Sequence, residues 1–201
     1  MLGLGIRLVR LGGIAKVNLI RNPRALGSVA GTPGTAPTNW TIPSAPAGLA
    51  RSIVGTGEAS GLPYIDIRYS GTLSSSSGNA PILYDTTTGI PVLAGVTYTS
   101  SVSVALVAGS VTGVTALQLN FLSYQADATT QVDSTSATSI LGSLTATLQR
   151  FTQTVTTGVG VAFAVPRLRF AFGTSGTAVD FSIRVAAPQF ERGSSASSPD
   201  I

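Results

Sequence analysis

Strict alternation of apolar and other residues limits the folds open to this chain more than any other feature of its sequence. In the stretch "LPYIDIRYS", Ile65, Ile67 and Tyr69 fall on one face, and Tyr64, Asp66 and Arg68 fall on the other. Because successive side chains of a β-strand point to opposite sides, a period of two predicts strands that bury one face. Further runs place their apolar residues in the same way: Val102, Val104 and Leu106; Leu117, Leu119 and Phe121; Val179, Phe181, Ile183 and Val185.

Turn-rich segments separate these runs, among them "GTLSSSSGNAP" and "GTSGTA". Gly, Ser and Asn supply positive-φ positions and side chain to backbone hydrogen bonds, so the strands are expected to be antiparallel. The pattern predicts an all-β fold: a two-sheet β-sandwich with a jelly roll as the first choice and an up-and-down barrel as the second. Residues 17–201 form one predicted domain, and residues 139–144 are the one place where a short helix is expected.

The first sixteen residues form a separate extended arm in this prediction. Leu2, Leu4, Ile6 and Leu8 alternate with two glycines and Arg7, a strand period in which glycine disfavours a helix. An apolar extended arm needs a sheet edge or a groove to pair with. It either docks on a partner or neighbouring subunit or adds a strand to its own domain. The expected docking residues are Leu2, Leu4, Ile6, Arg7, Leu8 and Arg10.

Charge is scarce and unevenly placed. Only 10% of the residues are charged, so the surface must consist largely of Ser, Thr, Gly and Ala, as expected of a protein that works in an assembly or outside the cell. The six cationic residues that precede Glu58 give residues 1–57 a charge of +6, which leaves −2 for the rest of a chain whose total is +4. Basic residues do not interleave with aromatic ones, so no nucleic-acid partner is expected, and a salt bridge from the arm to an acidic partner fits better.

The sequence lacks the groups on which most catalysis depends. It contains no histidine and no cysteine, and its eight acidic residues are isolated from one another. No serine or threonine has an evident activating base, and no spacing suggests a metal site or a phosphate-binding loop. We therefore expect a protein that is not an enzyme and has no cofactor. No apolar stretch has the length of a membrane span and no leader is evident, so synthesis in the host cytoplasm without a signal peptide is expected.

Several segments, taken in order, resemble a known family. They are "NLIRNP", "GTPGTAPTNW", "VLAGVTYTSSVSVAL", "LQRFTQTVT", "LRFAFG" and "APQFERGSSASSP". The set resembles the carbohydrate-binding-module-like jelly roll of bacteriophage and gene-transfer-agent head spikes and tail fibres, over roughly residues 17–199. The resemblance implies that the first Asn-Leu segment, predicted as the first strand of the body, lies near the closing Gln-x-Glu-x-Gly strand. It also implies a virion location, attachment by the N-terminal arm and a symmetric homo-oligomer, and it allows a structural calcium ion that no Asp-x-Asp cluster locates.

Sugar binding requires an aromatic ring beside polar side chains that bond the hydroxyls. Three groups off the apolar faces meet this requirement: Tyr64 with Asp66 and Arg68; Tyr84 with Asp85; Tyr124 with Gln118 and Asn120. The alternative for each tyrosine is a partly buried ring with its hydroxyl at the rim. Trp40 is expected to close one end of the core, with a ligand platform as the alternative.

The resulting hypothesis is a non-enzymatic virion protein that docks by its arm and binds host surface polysaccharide. Two alternatives stay open: a purely structural capsid or fibre-base protein without a glycan ligand, and a secreted carbohydrate-binding module.

Overall fold

The computed structural model describes residues 16–86, 88–134 and 137–199, and the strands within them are antiparallel. The predicted docking residues of the arm lie outside this part of the chain. The strands are β1 (Leu49–Ala59), β2 (Leu62–Thr72), β3 (Gly78–Leu83), β4 (Ile90–Pro91), β5 (Thr97–Ser110), β6 (Val114–Tyr124), β7 (Gln131–Ser134), β8 (Thr138–Ser139), β9 (Gln149–Thr156), β10 (Phe163–Phe172) and β11 (Ala178–Arg192). The short helix expected at residues 139–144 is a single 3₁₀ turn, Leu141–Ser143.

Two sheets form the body. The first sheet has the strand order β1-β2-β11-β5-β9, and the second has the order β3-β10-β6-β7, with β4 added beside β10 and β8 beside β6. Some neighbours, such as β1 and β2, are consecutive in the sequence, whereas others are far apart, as in the pairing of β11 with β2. The predicted all-β antiparallel sandwich of the jelly-roll type is confirmed.

The core lies between the sheets, where the alternating apolar residues meet. Tyr69 of the first sheet and Phe170 of the second have ring centroids 5.5 Å apart, and Phe121 packs edge-on against Phe190 at 5.2 Å. The predicted inward residues of β6 and β11 are all buried: Leu117, Leu119 and Phe121; Val179, Phe181, Ile183 and Val185. Offset and edge-to-face aromatic pairs of this kind each add about 0.5–1.5 kcal/mol beyond the area they bury.

Both ends of the sequence meet on β11. The Asn18 side chain donates to the Pro188 carbonyl and accepts from the amides of Ile20 and Phe190, and the Leu19 amide donates to the Phe190 carbonyl at 2.8 Å. The closeness of the Asn-Leu and Gln-x-Glu-x-Gly segments is therefore confirmed. The prediction of a strand over "NLI" is wrong, because these residues bond β11 mainly through the Asn18 side chain and form no regular ladder.

Residues 21–48 form a loop with three isolated bridges, two of which join it to the edge strands β1 and β3 at Ile53 and Leu83. Trp40 of this loop lies in the core, with its indole N–H donating to the Asn22 carbonyl at 2.9 Å. Its ring packs edge-on against Tyr84, with centroids 5.0 Å apart. The expectation that Trp40 belongs to the core is confirmed, and its buried ring offers no platform to a ligand.

Candidate functional site

Strand β2 presents Tyr64, Asp66 and Arg68 on the outer face of the first sheet, as the alternation predicts. Ile65, Ile67 and Tyr69 are fully buried on the opposite side. The three outward residues are thus brought together on one face, but their partners come from β11, which sequence reasoning did not connect with them.

Arg184 of β11 covers much of this group. It stands opposite Asp66 and donates to its two carboxylate oxygens at 2.8 Å each. Its guanidinium carbon also lies 3.6 Å from the centroid of the Tyr64 ring. Asp66 is therefore paired, and one face of the Tyr64 ring is stacked against a cation of the same chain.

Arg68 is paired in the same way at the exposed end of the face. It donates to both carboxylate oxygens of Asp180 at 2.7 Å each. The hydrogen bond from Arg68 holds the pKa of Asp180 below its ordinary value. A shallow cleft of about 340 Å³ borders this pair, and another of about 430 Å³ borders Tyr64 and Glu58.

Tyr84 is a correction to the predicted sugar contacts. Its ring is fully buried between the sheets against Trp40, so it presents no surface to a ligand. Burial raises the pKa of its hydroxyl, which meets no hydrogen-bond partner among the described residues. Asp85, predicted to contact sugar together with Tyr84, is also buried and forms a salt bridge with Arg21.

The third predicted group lies on the outer face of the second sheet. Gln118, Asn120 and Tyr124 alternate along β6 with the core residues Leu119 and Phe121. Asn120 is buried with 3% of its surface exposed, whereas Gln118 and Tyr124 are partly exposed. The structure brings these three side chains to one face.

Strand β10 adds two arginines to this face that the sequence interpretation missed. Arg167 stands opposite Asn120, and Arg169 stands opposite Gln118. The stretch "RLRF" carried the necessary pattern, because its arginines alternate with the buried Leu168 and Phe170. We call the set Asn79, Gln118, Asn120, Tyr124, Arg167 and Arg169 the arginine face.

Amide side chains hold both guanidinium groups. Arg167 donates through Nε to Oδ1 of Asn120 at 2.9 Å. Arg169 donates to Oε1 of Gln118 at 2.8 Å and to Oδ1 of Asn79 at 2.6 Å. Burial, and secondarily the positive charge of Arg169, lowers the pKa of Arg167 to about 10. The hydrogen bonds thus fix both side chains in position, and their acceptors are neutral amides.

An apolar cluster lies next to the arginine face. It consists of Leu83, Leu122 and Val165, with Tyr124 packed against them. The face therefore combines a partly exposed aromatic ring, amides and planar guanidinium groups, which together can contact sugar rings and bond their hydroxyls.

Within the described residues, no group of three or more Asp or Glu side chains is placed to hold a metal ion. The carboxylate of Asp127 caps its own turn, and hydrogen bonds from Thr130 and Thr129 lower its pKa to about 2. The helices of the described part of the chain are also too short to cross a membrane.

Comparison with known proteins adds information on the fold. No protein-family pattern matches the chain, and no curated protein sequence matches it. An arabinose-bound MgGH51 α-L-arabinofuranosidase matches 87% of this chain with a TM-score of 0.58 and 18% identity, and the match covers 26% of the enzyme chain. A cyclase from Fischerella sp. TAU matches 92% of this chain and 100% of its own, with a TM-score of 0.54 and 11% identity.

A CBM4 structure matches 87% of this chain and 99% of its own, with a TM-score of 0.49 and 16% identity. This chain spans about a quarter of the arabinofuranosidase's length. At these identities, the likenesses to the arabinofuranosidase and to the cyclase show a shared β-sandwich fold.

Proposed function

We propose that this chain is a non-enzymatic glycan-binding protein whose ligand lies on the arginine face. The observation that carries the proposal is the juxtaposition of Tyr124, Gln118, Asn120, Arg167 and Arg169 on two paired strands. A regular sheet holds these groups in fixed register, which limits the conformational entropy lost when a sugar binds.

The arrangement of the acidic residues supports a binding role over a catalytic one. Asp66, Asp85 and Asp180 form ion pairs with arginines, and Glu191 accepts two hydrogen bonds from Ser197. A glycosidase needs two carboxyl groups at a working distance on either side of the scissile bond. These four carboxylates are already committed to structural partners.

Affinity electrophoresis in gels that contain neutral or acidic polysaccharides tests the proposal. We expect retardation by at least one polymer and a several-fold loss of affinity in Tyr124→Ala, because the ring supplies apolar contact with the sugar. Tyr64→Ala, on the opposite sheet, is the matched control and should bind as the parent does. If no polymer retards the chain, or if both alanine variants bind equally, the glycan site is refuted.

The same protein is proposed to be a component of a phage or phage-like particle, attached by residues 1–16 and present as a homo-oligomer. The basic, alternating sequence of the arm and the family resemblance support this part of the proposal. Deletion of residues 1–16 should leave a folded β-protein that no longer joins the particle. Normal incorporation of the shortened chain would disprove attachment by the arm, and assembly without any glycan binding would favour a purely structural role.

A further inference from the structure

The arginine face carries two cations that have no carboxylate partner among the described residues. Directly across the sheet, Arg167 faces Asn120 on one side and Leu83 on the other, and Arg169 faces Gln118 and Pro81. All four cross-strand neighbours are uncharged. The side-chain hydrogen bonds of both arginines also go to amides, which accept a hydrogen bond without neutralising the charge.

The amide side chains do not use all the N–H donors of these guanidinium groups. Arg167 uses only Nε in its bond to Asn120, and its two terminal nitrogens have no acceptor in the described part of the chain. An arginine presents five donors in a planar fork that matches the two oxygens of a carboxylate. The bond to Asn120 fixes the side chain while its outer edge stays available.

Burial strengthens the preference for an anion. Arg167 is partly desolvated and lies near a second cation, and both effects lower its pKa to about 10. A bound anion would offset the cost of holding two positive charges close together, which a neutral sugar cannot do.

The spacing permits contact with both arginines. Residues 167 and 169 lie two positions apart on β10, roughly 6–7 Å along the strand. Tyr124 lies on the neighbouring strand of the same face and offers a ring to an apolar sugar surface.

We propose that the arginine face selects polysaccharides that carry carboxylate groups, with Arg167 and Arg169 binding the carboxylates of uronic acid residues. This inference rests on the proposed glycan-binding function and names its ligand class. Charge complementarity decides the choice, because the six residues that define the face include two cationic forks and no anion.

Polygalacturonate and its methyl-esterified form are the paired probes, since they share a sugar backbone and differ in charge. Alginate serves as a second uronate polymer, xylan and dextran as neutral polymers, and single-stranded DNA as a competing polyanion. We expect the full chain to bind a uronate polymer at least tenfold more tightly than any neutral one. Affinity should fall with added salt, because exposed charges are screened.

R167Q/R169Q should lose at least tenfold in uronate affinity, and R68Q, which removes one cation from the opposite sheet, should change it less than twofold. R167K/R169K keeps both charges and also controls for folding, and it should bind at least threefold better than the glutamine pair. Equal loss in the lysine and glutamine pairs would contradict a role for charge.

Binding to neutral polymers alone would overturn the uronate inference and leave the glycan-binding proposal intact. Tighter binding to DNA than to either uronate polymer would also overturn it, as would uronate binding that R167Q/R169Q does not change. Absence of binding to every polysaccharide would refute both proposals together.

Discussion

Two pairs of arginines, one on each sheet of the sandwich, have opposite kinds of partner. On the first sheet, Arg184 faces Asp66 and Arg68 binds Asp180, so both of these guanidinium groups meet a carboxylate. Arg150 of the same sheet differs, because its hydrogen bonds go to uncharged groups. On the second sheet, Arg167 and Arg169 meet amides. The two arginine–carboxylate pairs have no net charge, whereas the two arginines bound to amides leave a net charge of two positive units.

This difference separates arginines that stabilise the fold from arginines that are available for a ligand. A paired, partly buried arginine is costly to remove because its carboxylate stays behind without a partner. An arginine held by an amide leaves only a neutral group behind. The free energy of unfolding should therefore respond to substitutions on the first face, and ligand affinity to substitutions on the second.

The largest effect on stability is expected from Arg184→Met. This change leaves the Asp66 carboxylate, which is 12% exposed, without its partner and removes the cation from the Tyr64 ring. We expect a loss of about 2 kcal/mol in the free energy of unfolding, with Tm lowered by roughly 4–8 °C. Urea and thermal unfolding followed by circular dichroism measure both.

The double variant D66N/R184M is the control for this prediction. With the carboxylate also neutralised, no charge stays buried without a partner, so much of the lost stability should return. A double variant as unstable as R184M alone would show that packing, and not charge pairing, accounts for the loss.

Asn120→Asp should make the second face resemble the first. The new carboxylate would stand where Asn120 now accepts from Arg167 at 2.9 Å, so it would compete with a ligand for the guanidinium. We expect uronate affinity to fall about tenfold, which corresponds to about 1.4 kcal/mol. Asn120→Ser, which adds no charge, should retain most of the affinity. If Asn120→Asp bound uronate as tightly as the parent, carboxylate recognition at Arg167 would be contradicted.

Arg167→Gln should leave stability nearly unchanged. The variant removes a partly desolvated cation whose partner is an amide, and the shorter amide side chain leaves no charge behind. We expect the free energy of unfolding to stay within about 0.5 kcal/mol of the parent, as for substitutions outside buried charge networks. A loss as large as that of Arg184→Met would erase the distinction between the two faces.

Alternation predicted the fold well because it states which side of a strand is buried. Leu117, Leu119 and Phe121 are in the core, and Gln118 is on the outer face as expected. The same rule does not say which strands pair. Arg167 and Asn120 are 47 residues apart in the sequence, so their meeting depends on the pairing of β10 with β6.

Tyr84 shows where local pattern gives the wrong answer. It directly follows β3, and the sequence places it with Asp85 off the apolar faces, yet it is buried against Trp40. The loop over residues 21–48 supplies that tryptophan, and no strand periodicity describes this loop. Asn18 is similar, because its side-chain bonds to β11 take the place of the predicted strand.

The smallest expected effect is on the acid dependence of stability, and it separates the faces by pH. Arg68 lowers the pKa of Asp180 in the folded state below its ordinary value of 3.8. The pair's contribution is therefore complete above the unfolded pKa and is lost as the pH falls through the lower, folded value.

Asp180→Asn should reduce the fall in Tm between pH 5 and pH 2, in thermal scans at each pH. R68Q should reduce it similarly, whereas R167Q should keep the parent's dependence, because the arginine face has no carboxylate among its six described residues. An acid dependence that D180N leaves unchanged would show that this exposed pair contributes nothing to stability, as many surface ion pairs do.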